Sequence, residues 1–182
     1  MTSDDVLTLK ASVLFIIDKA GGALDKYRIF KSLYFANKEH LNRYGRLITS
    51  DDFYALPHGP VPTILSNVLN SVAGCPSKMN YDKELFSPIS KSITSYKDDA
   101  SNYYSANELP DMDELSESDV ECLIIGLSKC KDSSFDSIKK ESHDAAWEKA
   151  NKKRKKRINP IDMADGVSQN MKDFIVDGFY CR

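Results

Sequence analysis

Histidine occurs three times in this chain of 182 residues, tryptophan once and cysteine four times. His40, His58 and His143 are widely separated, with no His-x-x-x-His or Glu-x-x-His spacing, so no recognisable zinc or di-iron pattern is present and structural roles are expected for all three. Cys75, Cys122, Cys130 and Cys181 include no Cys-x-x-Cys pair, which leaves reduced core thiols rather than a metal ribbon or redox motif. A Gly-x-Ser-x-Gly elbow and a Gly-rich phosphate loop are both missing. No apolar run approaches the ~20 residues of a membrane helix, and the acidic start Met1-Thr2-Ser3-Asp4-Asp5 is unlike a secretory signal. The expectation is a cytoplasmic protein without membrane, metal or cofactor and without enzymatic activity.

What is present is a core-forming composition, 41% hydrophobic, in a chain of ordinary single-domain length, so one domain over 1–182 is expected. The net charge of −2 hides an asymmetry: residues 149–157 hold seven bases and no acid, and the rest holds 18 bases against 27 acids, a net of −9. The basic run has no interleaved aromatics and no helix-turn-helix pattern accompanies it. A solvated helix end or loop is the plainer reading, an acidic partner is second, and no specific nucleic acid is expected.

The densest stretch is 33–62, which gathers aromatics, two histidines and three prolines. Ile29, Phe30, Leu33, Tyr34, Leu41 and Tyr44 recur at three- and four-residue spacings, predicting a helix over 26–44 that Gly45 ends with a left-handed residue. Phe53-Tyr54-Ala55-Leu56 reads as a short edge strand, closed by Pro57. Pro62 then suits the first turn of a helix that turns Ile64, Leu65, Val68, Leu69 and Val72 inward and stops at Gly74 and Pro76.

Elsewhere, Ser3 is a plausible cap for a first helix carrying Val6, Leu9, Val13, Ile16, Ile17 and Ala20, which Gly21-Gly22 stops. Leu85 to Ile89, Ile93 to Tyr96 and Tyr103 to Ser105 predict two or three short strands able to join the Phe53 strand, with a turn over 98–102. Ser116 with Asp119 forms a capping box for a helix over 117 to about 129 that buries Val120, Leu123, Ile124 and Leu127. A short helix is expected at 134–140, and a last one from Pro160 that carries Ile161, Met163, Ala164, Val167, Met171, Phe174 and Ile175. The fold class is α+β, mainly α-helical: a helical bundle with a small antiparallel β-sheet.

The run Leu-Tyr-Phe-Ala-Asn-Lys-Glu-His-Leu-Asn-Arg-Tyr-Gly-Arg-Leu-Ile-Thr, with the later Leu-Pro-His-Gly-Pro-Val-Pro, resembles the Panacea domain, the phage-associated, SocA-like family. Leu115-Ser116-Glu117-Ser118-Asp119 and Ser142-His143-Asp144 with Trp147 extend the likeness from Val6 to Ile175. The resemblance implies a mostly helical cytoplasmic protein of bacteria and phages, usually the antitoxin of a two-gene pair, whose partner is a cognate toxin. It also implies an alternative, an adaptor that delivers the toxin to a cellular protease. A small phage-defence hydrolase is a third class, against which the missing catalytic signatures stand.

Within the resemblance, Tyr34, Phe35, Asn37, His40, Tyr44, Gly45, His58, Gly59, Pro60, His143 and Trp147 read as mostly structural motif residues. His40 is placed to bond the following loop, His58 to brace its turn, and His143 and Trp147, four apart, to share a helix face and pack together or on the core. Tyr54, Tyr96, Tyr103 and Tyr104 on the weakly patterned strands are the candidate partner-binding anchors.

Overall fold

The structure, a computed structural model, describes residues 1–75, 81–98 and 101–180. Helix α1 (Ser3–Ala20) opens on a capping box between Thr2 and Asp5, not on Ser3: Thr2 stays extended while its hydroxyl accepts from the Asp5 amide. Gly21 ends α1 in the left-handed region. Three residues, β1 (Ala23–Asp25), then form a strand that the sequence did not announce, and Asp25 caps α2 (Lys26–Tyr44) by accepting from Arg28 N–H. Gly45, at φ 73°, closes α2 as expected.

Strand β2 (Phe53–Leu56) pairs with β3 (Gly59–Pro62) in an antiparallel hairpin whose two-residue loop is Pro57-His58. The Pro-rich turn is therefore itself half strand, and Pro62 precedes α3 (Thr63–Val72) instead of sitting within it. Pro62 has no side-chain oxygen to cap α3. The buried Asp51 carboxylate substitutes, accepting from Ile64 and Leu65 N–H at 3.0 and 2.9 Å, and burial pushes it up to about 6. Leu65, Val68 and Leu69 are buried and Ile64 and Val72 partly so, while the Pro76 stop lies outside the described residues.

The Leu85 to Ile89 run is not a strand. Pro88 fits the first turn of α4 (Ser87–Ser92), where its missing N–H has no partner to lose. Strands β4 (Ile93–Asp98) and β5 (Ser101–Ala106) do form; the residues between them, Asp99 and Ala100, lie outside the described ones. They join β1 in the order β1-β5-β4, with Leu24 opposite Tyr104, and do not join the Phe53 strand, whose partners are β3 and a later segment.

A 3-10 turn at Met112–Glu114 leads to α5 (Glu117–Ser128), which has the expected Ser116 and Asp119 capping box. Its buried face is Asp119, Cys122, Leu123, Gly126 and Leu127, so Ile124 points outward at 49% exposure. Gly126 sets this roll: a Cβ there would stand 2.3 Å from the Ser32 carbonyl oxygen and 2.8 Å from the Ala36 nitrogen, so α5 rests directly on the backbone of α2. Helices α6 (Phe135–Ser142) and α7 (Ala145–Asn151) follow. The expected last helix is two, α8 (Pro160–Met163) and α9 (Gln169–Tyr180), separated at Gly166 with φ 76°. Fold class matches the sequence reading: mainly helical α+β with small antiparallel sheets.

One core cluster centres on α2, whose buried residues extend from Ile29 to Leu41, with α1 and α5 against it. Cys122 and Cys130 are buried free thiols that burial pushes up to about 11, whereas Cys75 is exposed and Cys181 lies outside the described residues, so the expected core-thiol reading holds for Cys122 and Cys130 and not for Cys75. Among the described residues no helix is long and apolar enough to cross a membrane.

Candidate functional site

Tyr27, Lys31, Tyr34 and Lys38 follow one another along α2 at spacings of four, three and four, so they form one stripe. The β2–β3 hairpin tip and the junction of α6 with α7 meet that stripe. Lys31 is fully buried and its Nζ donates to the Pro60 carbonyl at 2.6 Å, while standing 4.8 Å from the centre of the Tyr27 ring. Gly59 makes this approach feasible. Its φ is 99°, and a Cβ would lie 2.5 Å from Ser142 Oγ and 3.0 Å from both Cε and Nζ of Lys31.

One turn further along α2, the Tyr34 hydroxyl donates to both Asp144 oxygens, at 3.0 and 2.9 Å, and Lys38 Nζ reaches Oδ2 at 2.6 Å. Asp144 also caps α7, accepting from Trp147 N–H at 3.0 Å. A single carboxylate thus joins α2 to the start of α7. Burial, then the Asp144 charge and its hydrogen bond, raises the Tyr34 phenol well above its ordinary range.

His143 ends α6 and Trp147 lies in α7, so the two are not on one helix; the chain turns at Asp144 and stacks their rings with centroids 3.6 Å apart. Burial lowers the His143 pKa, and Lys139, Lys31 and His58 lower it further against the opposing pull of Asp144. Trp147 Nε1 donates to the Leu56 carbonyl at 3.1 Å, fixing the hairpin end. His58 is exposed and makes an edge contact with Phe135, whose ring is 4.5 Å from that of Tyr27.

A second motif cluster organises the loop after α2. Asn37 Oδ1 accepts from Ile48 and Thr49 N–H, and its amide donates to Leu33 O and Thr49 Oγ1. His40 Nδ1 stands 2.9 Å from the Arg46 carbonyl and Nε2 stands 2.9 Å from Ser118 Oγ and 3.1 Å from Asp119 Oδ1. Burial chiefly lowers the His40 pKa. Tyr44, 4.8 Å from the His40 ring, donates to Glu121. Phe35 is buried against Tyr34, and Gly45 leaves no room for a Cβ beside the Phe174 ring.

The four tyrosines divide. Tyr104 is fully buried with its hydroxyl on Leu69 O, since β5 is the central strand of its sheet, so it cannot serve as an exposed anchor. Tyr96 is 50% exposed and stacks on half-buried Tyr103, and Tyr54 is half-buried on the other sheet. The structure therefore brings Tyr34, Gly59, Pro60, His143 and Trp147 together and keeps Asn37, His40 and Tyr44 in a separate loop brace. Lys31 and Lys38 were not picked out from sequence, and Ser142 and Asp144 were named only within the motif, with no role of their own. The readable signals were two lysines on a buried stripe and an Asp one residue before a helix. Among the described residues no group of three or more His, Cys, Asp or Glu side chains could hold a metal ion.

A family model described as antitoxin SocA-like, Panacea domain, matches residues 29–148, a segment that holds both clusters apart from Tyr27 and Phe174. The chain belongs to this family. Within this SocA-like Panacea protein α1, the basic run and α8–α9 lie outside the match, which is shorter than the likeness read from Val6 to Ile175. No curated protein sequence and no solved structure matches the chain.

The Lys31 contact has a pH signature. Burial lowers the ammonium to about 7 from 10.5, so between those values the unfolded chain binds more protons and stability rises with pH. The cost is present in full below 7 and vanishes above the unfolded value. From pH 7 to about pH 8.5 the gain is roughly 1.5 kcal/mol. His40 and His143, whose pKa values are lowered from 6.5, act mainly below this window; Cys122 and Cys130, raised from 9.0, oppose it mainly above. Urea midpoints of wild type should climb across the window and those of Lys31→Met should stay level; parallel slopes would exclude Lys31 as the source.

Proposed function

We propose that this Panacea-domain protein is the antitoxin of a two-gene pair and silences its toxin in the bacterial cytoplasm by forming a stable complex, with no reaction of its own. Family membership over residues 29–148 carries this reading. The motif geometry supports it: Lys31, Tyr34, His40 and Asp144, the groups most suited to chemistry, are engaged in contacts that lock one element to another. A protein built this way offers a fixed surface, and binding energy in such surfaces is concentrated in a few well-packed side chains.

The test is co-expression with the adjacent reading frame, with growth and co-purification read together. Wild type should restore growth and co-purify, and His58→Ala, which alters an exposed ring, should behave alike. A folded His58→Ala or His143→Gln protein that co-purifies at full yield yet fails to restore growth would replace simple sequestration with catalysis or delivery to a protease.

A further inference from the structure

The basic run is ordered by the hairpin that carries the family motif. After α7 the chain turns back and lies along β2: Lys156 O accepts from Ala55 N–H at 2.8 Å, Ile158 N–H donates to Phe53 O at 2.8 Å, and Arg157 faces Tyr54 as an antiparallel bridge. Lys156 is held at φ 51°, the one positive value at a non-glycine residue among the described residues. A lysine adopts that backbone only where its neighbours impose it, and such strain gathers at functional surfaces.

Charge on this segment is unevenly used. Lys149 and Lys153 face Asp162, and Arg157 pairs with Asp52. Lys152, Arg154 and Lys155 are exposed and none of the ion pairs of the described residues includes them. Beside them the pleat of β2 turns Phe53 and Ala55 into the core and Tyr54 and Leu56 outward, with Leu56 41% exposed and Tyr54 opposite half-buried Val61. Trp147, bonded to the Leu56 carbonyl, is half-buried at the hairpin end. An aliphatic and aromatic centre next to free cations, on a backbone pinned from both sides, has the make-up of a protein interface.

We infer that the outer face of the β2 hairpin with the basic run, centred on Tyr54, Leu56 and Trp147 and flanked by Lys152, Arg154 and Lys155, is where the toxin docks. The toxin would present an apolar side chain ringed by carboxylates. This assignment rests on the antitoxin reading above. A protein occupant fits better than a nucleic acid on two grounds. One face of the Trp147 ring is already covered by His143, so it offers little platform for stacking a base, and Leu56 offers none. Three free cations also stand on a body whose remainder is net −9, which opposes a polyanion tracking across it.

The experiment uses the full chain and the protein encoded by the adjacent frame, with affinity from calorimetry, association rates at low and roughly physiological salt, and growth rescue. Leu56→Asp and the double change Arg154→Glu with Lys155→Glu should each weaken binding by roughly thirtyfold or more and lose rescue, with wild-type unfolding midpoints. Where the aspartate disturbs the hairpin, Leu56→Ser replaces it. The charge-reversed protein should also lose the salt dependence of its association rate. Ile124→Ser, on the outward face of α5, should bind like wild type. Full binding by the folded Leu56 and charge variants overturns the assignment, as does loss of binding in Ile124→Ser alone. So does duplex or single-stranded oligonucleotide binding tighter than about 1 μM that the charge variant loses while keeping the toxin, or self-association of the isolated chain through this face. A wild-type chain that neither binds nor rescues instead removes the antitoxin reading itself, and this face with it.

Discussion

Replacing Gly59 by valine should lower stability by about 4 kcal/mol, the sum of a strained backbone and an overfilled junction. The φ of 99° alone disfavours a branched side chain, and the new Cβ would begin 2.5 Å from Ser142 Oγ and 3.0 Å from Lys31 Nζ. Ser142 is fully buried and cannot swing into solvent. The hairpin would have to lift, stretching the Lys31 to Pro60 and Trp147 to Leu56 hydrogen bonds together. For a chain of this length the melting temperature should fall by roughly 10 °C. His58→Ala, one residue away but exposed, should change stability by no more than about 0.5 kcal/mol. Equal melting temperatures for Gly59→Val and wild type would show that the junction is not packed as described.

That contrast between neighbouring positions also marks what the sequence made legible. Gly45 was readable because a glycine after a 3.6-residue apolar pattern has one common use, and the Ser116 to Asp119 box because both partners lie within one turn. Each signal is local. The hidden features join residues far apart: β1 becomes a strand only because β5, some eighty residues later, pairs with it, and the basic run forms its single antiparallel bridge only against β2. Three residues of Ala-Leu-Asp carry no strand signature of their own. Ile124 was misplaced because an apolar pattern shows the width of a stripe but not its roll, which Gly126 fixes by meeting Ser32 and Ala36. Lys31 was passed over for a similar reason. Lysine is almost never fully buried, and only its place between Tyr27 and Tyr34 on one face pointed inward.

The same reasoning singles out Asp144, which serves two elements at once, and Asp144→Ala should destabilise the protein by about 3 kcal/mol. Loss of the α7 cap accounts for about 1 kcal/mol. The rest comes from leaving the buried Tyr34 hydroxyl and the partly buried Lys38 ammonium without their acceptor. Asparagine caps a helix as well as aspartate and can still accept from Tyr34, so Asp144→Asn should cost only about 1 kcal/mol, that of the Lys38 charge pairing. Tyr34→Phe removes the orphaned hydroxyl, and the double variant Tyr34→Phe with Asp144→Ala should therefore be more stable than the sum of the single losses by about 1 kcal/mol. Urea denaturation of wild type and the four variants measures each quantity. Strict additivity would mean that Tyr34 and Asp144 do not bond in solution. Asparagine as damaging as alanine would place the carboxylate's value in its charge, moving Lys38 ahead of the cap as the link that holds α7, and with it Trp147, against α2.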